Sequence, residues 1–347
     1  MVSASAEAPA RNGARSRYYT AAYSQVCREL LGVDVVRFDF PGGKSRGSIR
    51  LHLEDGRRVI ATRREDQSRI ILEEGALRHL GAQGAPVPRV LAFNGLMLLQ
   101  EDLGNRRLSG ALHGASVETI ERLLDEALGA LAAIHRAADA AGLDDAVLAL
   151  GVDRDWVTAL IDRPAVLGNF LEHRCPVPKL KDLLDLLMLV RPRFIKWDTR
   201  PGNAILRPQG GMAWIDWEDC GARNRLDDVA WLLGDEFVPD LPAAVEERLL
   251  ARHLPVFADG MQPDDAGDYL AAFGTFHMCV RLCLILSERG EGEWWDHDHC
   301  LAIDYVGVTL QHAERLCLRA ARWSARSSLT EMLSPWLLEV QSRLRQL

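Results

Sequence analysis

Between residues 34 and 101 the apolar residues recur with the period of strands, and after residue 104 with the period of helices; that change of period limits the fold more than any other feature. "VDVVRFDF", "SIRLHLED" and "RRVIATRR" are short and rich in β-branched and aromatic residues. They are separated by "PGGKSRG" and by the Asp55-Gly56 turn, which predicts a β-meander. "PVPRVLAF" and "LMLLQEDLG" predict two further strands, joined by the strong hairpin signal Asn94-Gly95. Between the two groups, residues 66–80 predict a helix, with Ile70, Glu74 and Leu77 on one face at i, i+4, i+7. A further helix is expected over 18–31. Beyond Gly104, Ser116 is placed to cap a long helix to about Ala138, whose buried stripe would be Ile120, Leu123, Ala127, Leu131 and Ile134. More helices are expected over 179–190 and over 241–347, broken near Pro263 and at Gly290–Gly292.

The chain is α+β by this pattern. Its 347 residues exceed a typical single core, so two domains or two lobes are expected. The divisions are a disordered tail at 1–17, a β-rich unit at 18–104 and a mainly helical unit at 105–347. The net charge of -8 disfavours nucleic acid as a partner. No apolar run reaches the ~18 residues of a membrane span, and "MVSASAEAPARNGARSR" lacks an apolar signal core. The seven cysteines are odd in number, irregularly spaced and without a C-x-x-C. Reduced thiols in a cytoplasmic protein are the expectation, with Cys279 and Cys283 in the core.

One β interruption breaks the helical part. "FIKWDTRPGNAIL" (194–206) places Asp198 five residues before Asn203, at the start of the apolar run "NAIL". A second run, "MAWI", follows the turn "RPQGG" and leads to Asp216. A hairpin centred on Gln209-Gly210 would set Asn203 opposite Asp216. Two carboxylates and an amide oxygen at one hairpin end suit Mg²⁺, which takes one or two carboxylates together with substrate phosphates.

The order "KWDTRPGN", "IDWED", "DDVAWLL" resembles the aminoglycoside phosphotransferase-like small-molecule kinases, within the protein-kinase-like superfamily. The resemblance covers residues 34–235. It implies a bilobal protein-kinase-like fold: a small β-rich N-lobe with one helix and a larger, mainly helical C-lobe. It also implies transfer of the γ-phosphoryl group of ATP or GTP to a small-molecule hydroxyl, with Mg²⁺. On the matching positions, Asp198 is the catalytic base, assisted by Arg200, and Asn203 and Asp216 hold the metal. Asp228 either braces the catalytic loop or merely caps a helix. In the N-lobe, Arg63 of "IATR" takes the phosphate-binding position, with Glu74 as its ion-pair partner and Glu73 as the fallback. Gly42, Gly43 and Ser45 of "PGGKSRGS" form a nucleotide lid. "LLQEDLG" forms the hinge, where backbone groups near Gln100 to Asp102 meet the base.

The chain departs from the family pattern H-G-D at Lys196 and Trp197, and carries Arg63 where the family has lysine. Arginine and lysine differ in geometry, so the exchange is not neutral. These departures keep a second reading open: a nucleotide-binding protein without turnover. "WWDHDHC" (294–300) alternates histidines with acids but lacks metal-site spacing, so a loop or structural role is expected. His135 is expected to pack. The acidic balance, with Glu218, Asp219, Glu291, Glu293, Asp296 and Asp298, suits a neutral or cationic hydroxylated acceptor such as an aminoglycoside or amino sugar.

Overall fold

The computed structural model describes residues 21–41 and 47–347. The tail and the glycine-rich positions Gly42, Gly43 and Ser45 lie outside the described residues. The chain forms two compact units, one of Met1–Arg78 and Pro88–Asp102, the other of His79–Val87 and Leu103–Leu347. His79–Val87 groups with the second unit, where the Pro86 carbonyl accepts a hydrogen bond from Trp214 N (3.0 Å).

In the first unit, strands β1 (Val35–Asp39), β2 (Ser48–Leu53), β3 (Arg58–Thr62), β4 (Val90–Phe93) and β5 (Leu98–Glu101) form one antiparallel sheet in the order β1-β2-β3-β5-β4. Alternation decides which face is buried. Ile49, Leu51 and Leu53, Val59 and Ala61, Met97 and Leu99 form one core with Tyr23 and Cys27 of the helix over residues 21–31. The β4–β5 turn closes as the Asn94-Gly95 signal predicts: Asn94 Oδ1 accepts from Leu96 N and Met97 N, and Gly95 takes φ 88°. The helix Gln67–Ala82 buries Ile70, Glu73, Leu77 and Leu80. The face runs through Glu73, not Glu74, because i, i+3, i+7 describes the same helical stripe.

The second unit is mainly helical. The helix Val117–Ala141 starts where expected, with Ser116 Oγ accepting from Thr119 N, and ends at Gly142 in a left-handed conformation. Pro263 opens a helix that runs to Arg289. This helix is apolar enough over 18 residues to cross a membrane, which corrects the expectation that no such run exists. Most of that stretch is buried against the helices Arg163–Phe170, Leu226–Leu233 and Leu310–Ser324, so it is the central core helix. Helices Ala243–Phe257 and Leu333–Leu344 complete the region. The segment 294–300, expected as loop, opens the helix His297–Ile303, capped by Asp296, which accepts from His299 N.

Two small sheets lie within the helices. Strands β7 (Ala204–Leu206) and β8 (Met212–Trp214) form the expected hairpin. Strands β6 (Arg193–Ile195) and β9 (Gly221–Arg223) form an antiparallel pair that the sequence did not announce. The loops that carry Asp198, Asn203 and Asp216 join the strands of these two sheets.

Candidate active site

Strand β6 leads directly into Lys196-Trp197-Asp198, and β9 leads into the helix Leu226–Leu233. Strands β6 and β9 run antiparallel, and the first turn of that helix packs against the loop after β6. There the Asp228 carboxylate accepts from Lys196 N (3.0 Å), Trp197 N (2.8 Å) and His135 Nε2 (2.8 Å), while its carbonyl accepts from Thr199 Oγ1 (2.7 Å). Asp228 is fully buried. It therefore braces the loop, and the two readings left open for it resolve against a simple cap.

Trp197 has φ 70°, in the left-handed region where a bulky residue is strained. This explains why glycine is the family residue at that position. Here the strain is held by the bond to Asp228 and by ring contacts with Trp156, Trp231 and Phe273.

Asp198 lies on the loop with its carboxylate gripped on two sides. Arg200 reaches both oxygens (Nε–Oδ1 2.7 Å, Nη2–Oδ2 3.1 Å), and Asn203 Nδ2 donates to Oδ2 (2.9 Å). Burial alone would raise the pKa of this acid. The Arg200 guanidinium overcomes that and, helped by Lys196, holds the carboxyl well below the usual carboxylate range. A carboxylate offers about four lone-pair directions, so after three donors one remains for a hydroxyl. Arg200 also donates to the Tyr305 carbonyl (2.7 Å).

Lys196, read from the sequence as a departure, is 1% exposed. Its ammonium donates to the carbonyls of Asp198 and Asp216 (2.9 Å each) and lies 5.4 Å from the centroid of Trp217. The side chain thus ties the loop carrying Asp198 to the loop carrying Asp216.

The hairpin register corrects the expected pairing by one residue. Ala204 faces Trp214, and the Asn203 carbonyl accepts from Ile215 N (2.9 Å), so Asn203 lies opposite Ile215. The turn is one residue tighter because Arg207 N bonds Gly211 O and Gly210 N bonds Arg207 O. Asp216 then takes φ 64°, leaving the strand geometry at the hairpin end. Asn203 spends its amide nitrogen on the Asp198 carbonyl and carboxylate, which assigns the amide oxygen to the opposite side. That oxygen and the Asp216 carboxylate form a donor set that fits a hard, oxygen-seeking cation such as Mg²⁺. Among the described residues no group of three or more His, Cys, Asp or Glu is arranged to hold a metal.

Gly202 lies between Asp198 and Asn203 directly under the Asp304 carboxylate, with which a Cβ would collide. Asp304 also pairs with Arg107 and Ser109, and Arg107 donates to the Gly202 carbonyl (2.7 Å). This brace on the loop carried no local signal in the sequence.

In the first unit the structure moves two expected residues. The buried ion pair is Arg64–Glu73 (2.9 Å), with Glu73 1% exposed. Arg63 is exposed and Glu74 pairs with Arg78 on its own helix. The cause is that β3 ends at Thr62, so strand alternation no longer applies at 63, and that the inward helix face carries Glu73. The side chains of the hinge segment, whose backbone is expected to meet the base, turn into the sheet. Gln100 Nε2 donates to Thr62 Oγ1, and Asp102 binds Arg50 in a two-pronged pair (2.8 and 2.9 Å). These side chains hold the sheet together, which leaves the recognition of a base to the backbone of this segment, as expected.

Glu218 and Asp219 are half-buried on the loop after β8, whereas Glu291, Glu293, Asp296 and Asp298 are exposed, with Asp296 spent as a helix cap. The latter four form solvated surface, not a pocket wall. His297 instead lines a cavity of about 330 Å³ with His113, Phe237 and Arg315.

The profile of the phosphotransferase enzyme family matches residues 39–265. Among solved structures, the choline kinase LicA from Streptococcus pneumoniae is 15% identical, covers 86% of this chain and 99% of its own, and superposes with a TM-score of 0.51. The macrolide 2'-phosphotransferase MphH from Brachybacterium faecium is also 15% identical, covers 85% of this chain and 97% of its own, with a TM-score of 0.52. At such identity the likeness is one of fold, and the fold is protein-kinase-like. No curated protein matches the chain significantly. With more than half of its length matched by the family profile, the chain belongs to the phosphotransferase enzyme family.

Proposed function

We propose that the protein transfers the γ-phosphoryl group of ATP or GTP to a hydroxyl of a small molecule. The observation that carries this reading is the Asp198–Asn203 pair, joined to Asp216 through the buried Lys196 ammonium. In this reaction the bond between the β–γ bridging oxygen and the γ-phosphorus breaks. A bond from the acceptor oxygen to phosphorus forms, the nucleoside diphosphate leaves, and the hydroxyl proton is released. Asp198 accepts the hydrogen bond of that hydroxyl and aims its oxygen. Because its carboxylate is so acidic, the proton leaves late, in keeping with a loose transition state in which positioning and charge stabilisation dominate. Asn203 and Asp216 would hold Mg²⁺, which when bound supplies positive charge to the phosphate oxygens. Arg64, fixed by Glu73, takes the phosphate-binding role expected of Arg63.

Two relatives of the fold support a nucleotide as donor: LicA has been solved with AMP, and APH(2")-IIia with GDP and kanamycin. The direct test is transfer of labelled phosphate from ATP and from GTP to a panel of hydroxylated compounds. Nucleotide binding with no transfer to any of them would leave the reading without support and favour a protein that binds without turnover.

Two variants test the roles. Arg64→Ala should weaken ATP binding by about 10- to 100-fold, the scale of a lost charge-assisted hydrogen bond of ~1.5–3 kcal/mol, while Arg63→Ala stays within about twofold of wild type. Calorimetric titration with ATP reads both, and the opposite ranking would restore Arg63. Asp216→Ala should remove the Mg²⁺ dependence of nucleotide binding, weakening it about tenfold in Mg²⁺ and little in its absence. Equal Mg²⁺ dependence in both proteins would rule out Asp216 as a ligand.

A further inference from the structure

Two neighbouring helices enclose a seam beside the Asp198 loop in which three polar atoms have no partner. Trp231 and Asp235 stand four residues apart, the first on the helix Leu226–Leu233 and the second just beyond its end. On the helix Pro263–Arg289, His277 faces Trp231, and Phe273 lies one turn before it. Trp231 Nε1, Asp235 Oδ2 and His277 Nε2 are buried and make no hydrogen bond among the described residues. Asp235 and His277 are 0% and 4% exposed. The rings of Trp231 and His277 are 4.2 Å apart, and the Trp231 ring lies tilted 5.4 Å from that of Trp197, the residue before Asp198. Trp197 and Trp231 are only half-buried, so the seam reaches the surface next to the proposed base. Buried polar groups without partners are rare in native proteins and call for a physical explanation.

We propose that Trp231, Asp235 and His277 form a recognition site for the acceptor, and that they select a neutral, hydroxyl-rich molecule. This inference rests on the phosphotransferase reading above and names its substrate class. The first argument is charge balance. The nearby arginines each have their own carboxylate, Arg200 with Asp198, Arg281 with Glu236 and Arg223 with Asp227, and the Lys196 ammonium is held by the carbonyls of Asp198 and Asp216. An extra ion of either sign would enter the seam unpaired, at a high desolvation cost. The second argument is the aromatic surface. Trp156, Trp197 and Phe273 offer faces that would suit an ammonium group. The guanidinium of Arg223 already occupies them, 4.4, 5.7 and 5.5 Å from their centroids. The third argument is hydrogen-bond chemistry. Indole N–H only donates, whereas an imidazole nitrogen and a carboxyl oxygen can also accept, and a hydroxyl is the small group that satisfies both kinds. Burial pushes the His277 imidazole down to about 3, so it is neutral at physiological pH. Burial and the adjacent Glu236 raise Asp235, which favours its neutral form as well.

The test combines transfer and binding. Neutral polyols (hexoses, inositols and nucleosides) are compared with choline and kanamycin as acceptors from labelled ATP. The same compounds are titrated against the tryptophan fluorescence of the Asp198→Asn protein, which reads binding without turnover. The expected result is that a neutral polyol is bound and phosphorylated and the cationic compounds are not. Trp231→Phe and His277→Phe, which keep the rings, should each raise the KM of that polyol about tenfold or more while the nucleotide KM stays within about twofold. Asp235→Asn, which keeps the Oδ1 acceptor used by Phe237 N, should shift the acceptor KM selectively as well. A water-filled structural seam would move neither constant or both together. Polyol binding without transfer would support the recognition site while removing the phosphotransferase reading. A preference for a cationic acceptor, no polyol binding at all, or an acceptor KM unmoved in all three variants would overturn the proposal.

Discussion

Replacing Asp198 with asparagine should lower kcat by about 10²–10⁴-fold, the contribution typical of a positioned acid–base group, and leave nucleotide binding intact. The substitution preserves shape and changes two things. The amide cannot offer two equivalent charged acceptors, and one of its ends now presents hydrogens. Asn203 Nδ2 and one prong of Arg200 therefore lose an acceptor. The acceptor hydroxyl loses the lone pair that aims it. Arg200, its side chain 11% exposed, keeps its Nε bond to the amide oxygen and its bond to the Tyr305 carbonyl but loses the carboxylate charge and one prong, so some loss of stability accompanies the loss of rate. Single-turnover kinetics at saturating nucleotide separate the two effects, since unfolding lowers the amplitude and a missing base lowers the rate. Normal kcat in the folded variant would exclude Asp198 from the chemistry.

The departure at Lys196 sharpens this expectation. A lysine between an isoleucine and a tryptophan reads from sequence as an ordinary polar residue, and nothing local reveals that it is buried. Its role depends on Asp216, twenty residues away, whose carbonyl it reaches only after both loops are placed. The same reason hid the β6–β9 pair: each strand has three residues and the connection contains a whole hairpin. By contrast, the helix Val117–Ala141 was legible from its Ser116 cap and its apolar stripe, and the β4–β5 hairpin from Asn94-Gly95, because local chemistry determines both. Asp198, Asn203 and Asp216 could be picked out as a candidate set because their order and spacing are read without tertiary information, and the structure adds the Asp198–Asn203 bond and the Lys196 link to Asp216. Where two adjacent residues compete, spacing alone fails. Arg63 against Arg64 is decided by where β3 ends, and Glu74 against Glu73 by a rotation of about 100° around the helix.

The ion pair behind the site gives the largest expected effect on stability. Glu236 is fully buried and accepts from Arg281 Nε (2.9 Å), Arg281 Nη2 (2.5 Å) and Gly307 N (3.0 Å). Arg281 also donates to the Tyr305 carbonyl, which anchors Arg200, so the pair supports the chain segment that steadies the loop carrying Asp198. Arg281→Met fills a similar volume but leaves the Glu236 charge uncompensated beside Asp235. Breaking a buried pair in this way costs about 3–5 kcal/mol. Urea unfolding of wild type and variant measures it, and the double variant Arg281→Met/Glu236→Gln should recover part of the loss, because it removes the stranded charge. The pH dependence has a definite sign. In the wild type, burial would raise Glu236, but Arg281 overcomes it and holds the carboxyl down to about 2. Its stabilising contribution is therefore complete above the unfolded value of about 4.3 and is lost only as pH falls toward 2. Without Arg281, burial is opposed only by the backbone N–H groups of Gly307 and Glu236 itself, and the folded acid is expected to titrate above its unfolded value. The variant then loses stability as pH rises through that range, so its deficit relative to wild type should widen between about pH 4 and pH 7. A deficit that is constant over this range, or below about 1 kcal/mol at pH 7, would mean that Glu236 finds another partner once Arg281 is gone.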